Sequence, residues 1–171
     1  MPLKSLPYDR RAAVEYARRW AYGRNPDYFN YDRIGGDCTN FASQALYAGS
    51  KVMNFTPTFG WYYIDANQKS PSWTGVPYFY DFMTRNQMSE GPYGVDVPAE
   101  LVLPGDFAQL RFEGADRFGH TPVIVEVGNP PTLQNILVAA HSDDADRRPL
   151  ATYRFRAIRF IHIQGVWKNE G

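Results

Sequence analysis

One cysteine in a chain of 171 residues excludes an internal disulfide, so Cys38 is a free thiol. Histidine is nearly as scarce, with three copies, and each therefore counts as a candidate base. Formal charge is zero, with 18 basic residues against 18 acidic ones. No basic block and no interleaved basic and aromatic stripe is present, which argues against nucleic acid as a partner. No run approaches the roughly 18 consecutive apolar residues of a membrane span. Met1 to Ser5 leads into helix-like sequence without a signal-peptide apolar region, which leaves open a secreted or cell-wall-associated parent protein. Aromatics are plentiful, at 12 Tyr, 11 Phe and 4 Trp, and many fall between residues 55 and 82. The length suits one domain over residues 1–171 with a sizeable core.

The period of the apolar residues changes along the chain. From Asp9 to Tyr22, Ala12, Ala13, Tyr16, Ala17 and Trp20 form a helical stripe, with Arg10, Arg11, Glu15, Arg18 and Arg19 read as a solvated face. Residues 50–75 carry no clean period and read as a long loop. Val76 to Asn86 reads as a further helix. Beyond residue 100 the period becomes two, giving strands over 107–112, 120–127, 134–141 and 153–163, with short links that suggest an antiparallel meander. Helices over about 8–90 followed by strands over about 104–166 predict an α+β fold.

The chemistry centres on Gly35-Gly36-Asp37-Cys38-Thr39-Asn40-Phe41. The glycines allow a sharp turn, Asp37 reads as the N-cap of a helix, and Gly49 as its stop. A thiol at a helix N-terminus feels the positive end of the peptide dipoles, which is expected to lower its pKa and favour the nucleophilic thiolate. Such a nucleophile needs a base. His120 opens one strand and His141 closes the next, so antiparallel pairing puts both at one edge of the sheet, as base and orienting third group. Asp143 and Asp144 are the carboxylate alternatives for the third position. His162 lies within a strand and reads as a packed or edge position.

Gly36 to Gln44, Trp61-Tyr62-Tyr63, Ser72-Trp73-Thr74, Gly105-Asp106, Gly119-His120 and the helix from Tyr8 to Ala17 resemble the putative amidase domain family of bacterial, mostly Gram-positive, proteins. The resemblance covers roughly residues 8–145. That family is similar to the papain-like NlpC/P60 and CHAP amidases, which cut peptide or amide bonds of the cell wall. It implies a papain-like α+β fold, Cys38 as nucleophile, His120 as base, His141 as third member and peptidoglycan or a related amide as substrate, without cofactor. By analogy with the upstream tyrosine of NlpC/P60 enzymes, Tyr31 or Tyr28 would assist the Cys38 amide in an oxyanion site, beside Asp37. Trp61 and Trp73 are the expected walls of a substrate groove. Three other readings stand beside this one. A metal site would use His120, His141, Asp143 and Asp144, although their spacing is not that of a ligand set, and no metal is expected. A cell-wall or carbohydrate binding module would use the aromatics. An acyltransferase would use the same thiol, with an amine replacing water.

Overall fold

The computed structural model describes residues 2–170. It is an α+β fold of helices packed on an antiparallel sheet. The helices are α1 (Arg10–Trp20), α2 (Cys38–Ser50), the single turn α3 (Pro71–Thr74) and α4 (Val76–Arg85). The main strands are β1 (Leu3–Leu6), β4 (Gly91–Val97), β5 (Phe107–Phe112), β6 (Val123–Val127), β7 (Ile136–Ala140), β8 (Ala145–Pro149) and β9 (Phe155–Asn169), while β2 (Tyr63–Asp65) and β3 (Gln68–Lys69) form a separate small hairpin.

The meander expected after residue 100 holds for β5, β6 and β7. Its next strand is β8, which lies outside the expected strands, and the strand expected over 153–163 is β9, which returns to lie beside β5. On its other side β9 pairs with β4, and beyond β5 its C-terminal end pairs with β1. Two strands that precede residue 100 thus complete the sheet. The stretch over 50–75, read as a loop, contains the β2–β3 hairpin and α3.

Each face of the sheet covers a core. Phe107, Val123, Ile161 and Ile163 pack with Phe41, Leu46, Trp61, Trp73 and Phe79 of the helical layer. Ala108, Leu110, Ile124, Val138 and Phe160 pack on the opposite face with Leu150. Alternate residues of one strand point to opposite faces, so Phe107 and Ala108 serve different cores.

α1 is capped by Asp9, whose side chain accepts from the Ala12 amide. Its Arg10 is not on a solvated face. The guanidinium donates to Asp106 Oδ1 at 2.7 Å and to the carbonyls of Pro104 and Ile163, because Asp106 is fully buried and must be neutralised there. Asp106 also accepts from the amides of Leu103 and Ile163 and binds His162 Nδ1 at 2.8 Å. This carboxylate ties α1 to β9. Gly49 is not the stop of α2. The helix runs to Ser50, and Lys51 supplies the left-handed cap at φ 59°. A Cβ on Gly49 would lie 2.5 Å from the Asp9 carbonyl oxygen, so glycine is needed there for the close approach of the two helices.

Candidate active site

Gly35 and Gly36 adopt φ of 82° and 96°, the left-handed turn that delivers Cys38 to the first turn of α2. Asp37 occupies the N-cap position, but its carboxylate does not cap the helix. Oδ1 instead accepts from the Tyr31 amide at 2.9 Å and from Asn40 Nδ2 at 3.0 Å, and Oδ2 lies 2.7 Å from His141 Nδ1. The turn is held from behind, and the first amides of α2 are left uncapped by a side chain. The Cys38 amide donates to no acceptor among the described residues.

Cys38 is half-buried, with Sγ 3.8 Å from the Gly119 carbonyl, the residue that precedes His120. Cys38 and His120 line one cavity of about 580 Å³, together with Gly35, Phe112, Ser142, Asp143, Arg148, Tyr153 and Arg154. No hydrogen bond joins the sulfur to the His120 ring among the described residues. The two segments are joined one residue further on, where Thr39 Oγ1 and Thr121 Oγ1 are 3.0 Å apart and buried. Thr121 Oγ1 in turn accepts from Gln109 Nε2 at 3.3 Å, and Gln109 Oε1 accepts from Arg159.

The His120 ring stacks on Phe112, with centroids 5.7 Å apart, and is tilted against Tyr153 at 5.5 Å. Neither of its nitrogens has a hydrogen-bond partner among the described residues. Burial, and after it the Arg148 charge, push the His120 pKa down to about 4, with Asp143 opposing them. Burial likewise pushes the Cys38 thiol up, against the Thr39 hydroxyl and the Thr121 and Thr39 amides, which lower it. Thiol and imidazole are therefore both neutral at neutral pH. This corrects the expectation of a lowered thiol pKa: desolvation of the thiolate outweighs the donors around it.

His141 does not meet His120. It is buried, stacked on Phe41 with centroids 3.9 Å apart, and its Nε2 lies 2.8 Å from the Trp20 carbonyl while Nδ1 faces Asp37. Both nitrogens are taken, so the ring has none to offer a second imidazole. Asp144 is bound by Arg24 Nη2 at 2.9 Å, the guanidinium that also holds Asp32. Asp143 alone of the third-position candidates lines the cavity, in an ion pair of 3.4 Å with Arg148. Neither candidate tyrosine lines this cavity. Tyr31 donates to the Ala66 carbonyl, and the Tyr28 ring packs against Tyr63 and Trp73. Trp61 and Trp73 are fully buried, with indole N–H groups on Ser43 Oγ and Asn40 Oδ1. They fill the core under the 50–75 segment and wall no groove. Among the described residues no cluster of three His, Cys, Asp or Glu side chains is placed to hold a metal ion.

Sequence reasoning missed Thr39, Thr121, Gln109, Phe112 and Tyr153. The signal for the threonines was available: each directly follows a candidate catalytic residue.

A family described as a putative amidase domain matches residues 7–164. The chain belongs to this amidase-domain family. It is 36% identical over 135 residues to the uncharacterized protein YhbB of Bacillus subtilis (strain 168), a match that covers 76% of the chain and 42% of that protein. The chain thus spans less than half the length of this curated relative. No solved structure matches. No helix of the amidase domain, among the described residues, is long and apolar enough to cross a membrane.

Proposed function

We propose that the domain is a cysteine amidase or peptidase of papain-like type, with Cys38 as nucleophile and His120 as general base. The observation that carries this is the cavity shared by a half-buried thiol at the start of α2 and an imidazole, where neither the ring nor the Cys38 amide has a hydrogen-bond partner among the described residues. Attack requires the sulfur to leave the Gly119 carbonyl and approach the ring of the next residue across the cavity that both line. As the C–S bond to the substrate carbonyl forms, the thiol proton passes to His120, and the oxyanion takes a hydrogen bond from the Cys38 amide. Such a donor is worth roughly 2.7–4 kcal/mol. Collapse breaks the C–N bond, and the amine leaves with the proton held on His120. Water, deprotonated by the same ring, then cleaves the thioester and releases the acid.

The ring at a pKa of about 4 is unprotonated at working pH and so free to accept the thiol proton, an uphill transfer that proceeds only as sulfur attacks. Phe112 and Tyr153 hold the ring in place of a hydrogen-bonded third residue. The resemblance to cell-wall amidases directs the substrate to peptide or amide bonds of peptidoglycan. Incubation with peptidoglycan fragments and mass analysis of the products should show water added across one amide bond. Cys38→Ala and His120→Gln should each abolish the reaction while melting close to wild type. Product formation by Cys38→Ala would overturn the proposal.

A further inference from the structure

The same cavity carries charges that the proposed reaction does not use. Arg148 is fixed from several sides. Nε donates to Thr152 Oγ1 at 2.7 Å, Nη2 to the Thr152 carbonyl at 3.1 Å, and the guanidinium lies 3.6 Å from the centroid of the Tyr153 ring. Its only carboxylate among the described residues is Asp143, at 3.4 Å, and that side chain is 88% exposed. An ion pair of this kind contributes little and is readily exchanged for another anion. Arg154, exposed at the rim, makes no side-chain hydrogen bond or ion pair among the described residues. The other acid in the wall, Asp37, is already engaged by His141, Asn40 and the Tyr31 amide. With His120 neutral, the space around the thiol is lined by two guanidinium groups and one loosely held carboxylate.

We infer that Arg148 and Arg154 form a carboxylate subsite, so that the preferred substrate is an amide that also bears a free carboxylate close to the bond attacked. This rests on the reading of Cys38 as nucleophile and names the substrate class for that site. A fixed planar guanidinium presents paired N–H donors that match a carboxylate, and its immobilisation on Thr152 and Tyr153 removes much of the ordering cost of binding. Arg148 lines the same cavity as Cys38 and His120, so an anion bound on it lies in the space that the thiol faces. Asp143 marks the position that the substrate carboxylate takes over.

Alkylation tests the subsite without any hydrolysis. Iodoacetate and iodoacetamide both form an S–CH2 bond to Cys38 with loss of iodide, and differ at the remote end in bearing a carboxylate or a neutral amide. The readout is the ratio of their rates at pH 9 in the folded chain, relative to the same ratio in the urea-unfolded chain. A ratio raised about tenfold at low salt is expected, falling as ionic strength rises. Arg154→Gln should bring it down, whereas Arg11→Gln, which removes an equal charge from a side chain 89% exposed on α1, should not. A folded ratio equal to the unfolded one overturns the subsite, as does a raised ratio that Arg154→Gln leaves intact or a Cys38 that iodoacetate does not reach. Failure of the amidase reading would appear instead as cleavage that survives Cys38→Ala, and would leave this ratio unchanged.

Discussion

Two opposing influences act on the proton of Cys38, and their balance has a measurable sign. Burial raises the thiol pKa, so at pH 7 the folded chain holds less thiolate than the unfolded one. Iodoacetamide should therefore label Cys38 more slowly in the folded chain at pH 7, with the difference shrinking as pH rises. Faster labelling in the folded chain would mean that the helix N-terminus dominates after all. His120 shifts in the opposite sense, to about 4 from 6.5. Its folded pKa is depressed, so between those values the unfolded state binds the proton and the native state does not. Stability is then lost as pH falls from about 6.5 to 4, by up to about 3 kcal/mol. Urea denaturation at pH 7 and pH 4.5 should show this loss in wild type and a smaller one in His120→Gln. His141 belongs to a different category. It bridges Asp37 and the Trp20 carbonyl inside the core, so His141→Ala should cost about 3–5 kcal/mol, the usual result of removing one partner from a buried pair. A catalytic third member would behave otherwise, with stability retained and turnover lost.

At the level of elements, α2 and the segment before β6 are aligned by a hydroxyl pair, Thr39 to Thr121, that sits one residue beyond the nucleophile and the base. Thr121→Val keeps the shape of the side chain and removes the bond to Thr39 and the acceptor for Gln109. A cost of about 1–3 kcal/mol in stability is expected from the buried groups left unsatisfied. The loss in kcat should exceed what that destabilisation explains, and a decrease in stability alone would make the pair a packing feature only. Much of this arrangement was legible in the residues. The glycine turn, the start of α2 at Cys38, the helical stripe of α1 and the strands β5, β6 and β7 follow from local pattern, whereas β8 was not expected and β9 runs beyond its expected end to Asn169. The partners were not legible in the same way. Asp37 looks like an N-cap because of its neighbours in sequence, yet its carboxylate is claimed by His141, from the far end of β7. Arg10 looks solvated within its own helix, but the buried Asp106 faces it. Trp61 and Trp73 sit in a segment without a period, and only the packing of α3 against α2 shows them to be core. Contacts between residues distant in the chain decided each of these positions, and no local period encodes them.

Across the whole molecule, β9 is the strand on which the sheet depends. Its 15 residues pair with β5 and β1 in tandem along one side and with β4 along the other. β5 has a single registered residue pair with β6, Phe107 with Val123, besides the bridge between Leu110 and His120. An internal deletion of residues 155–169 should thus release β1 and β4 from the sheet and abolish cooperative unfolding, rather than shorten one edge. There is also a consequence in time. The ribosome delivers the chain from its N-terminus, and β1, β4 and β5 must all wait for the last strand before the sheet can close. Pairings so distant in sequence form slowly. A nascent chain arrested with β9 still in the exit tunnel should be cut readily by protease at sites that the finished protein protects. The thiol and its base, both synthesised long before, would become an aligned pair only once β9 has left the tunnel.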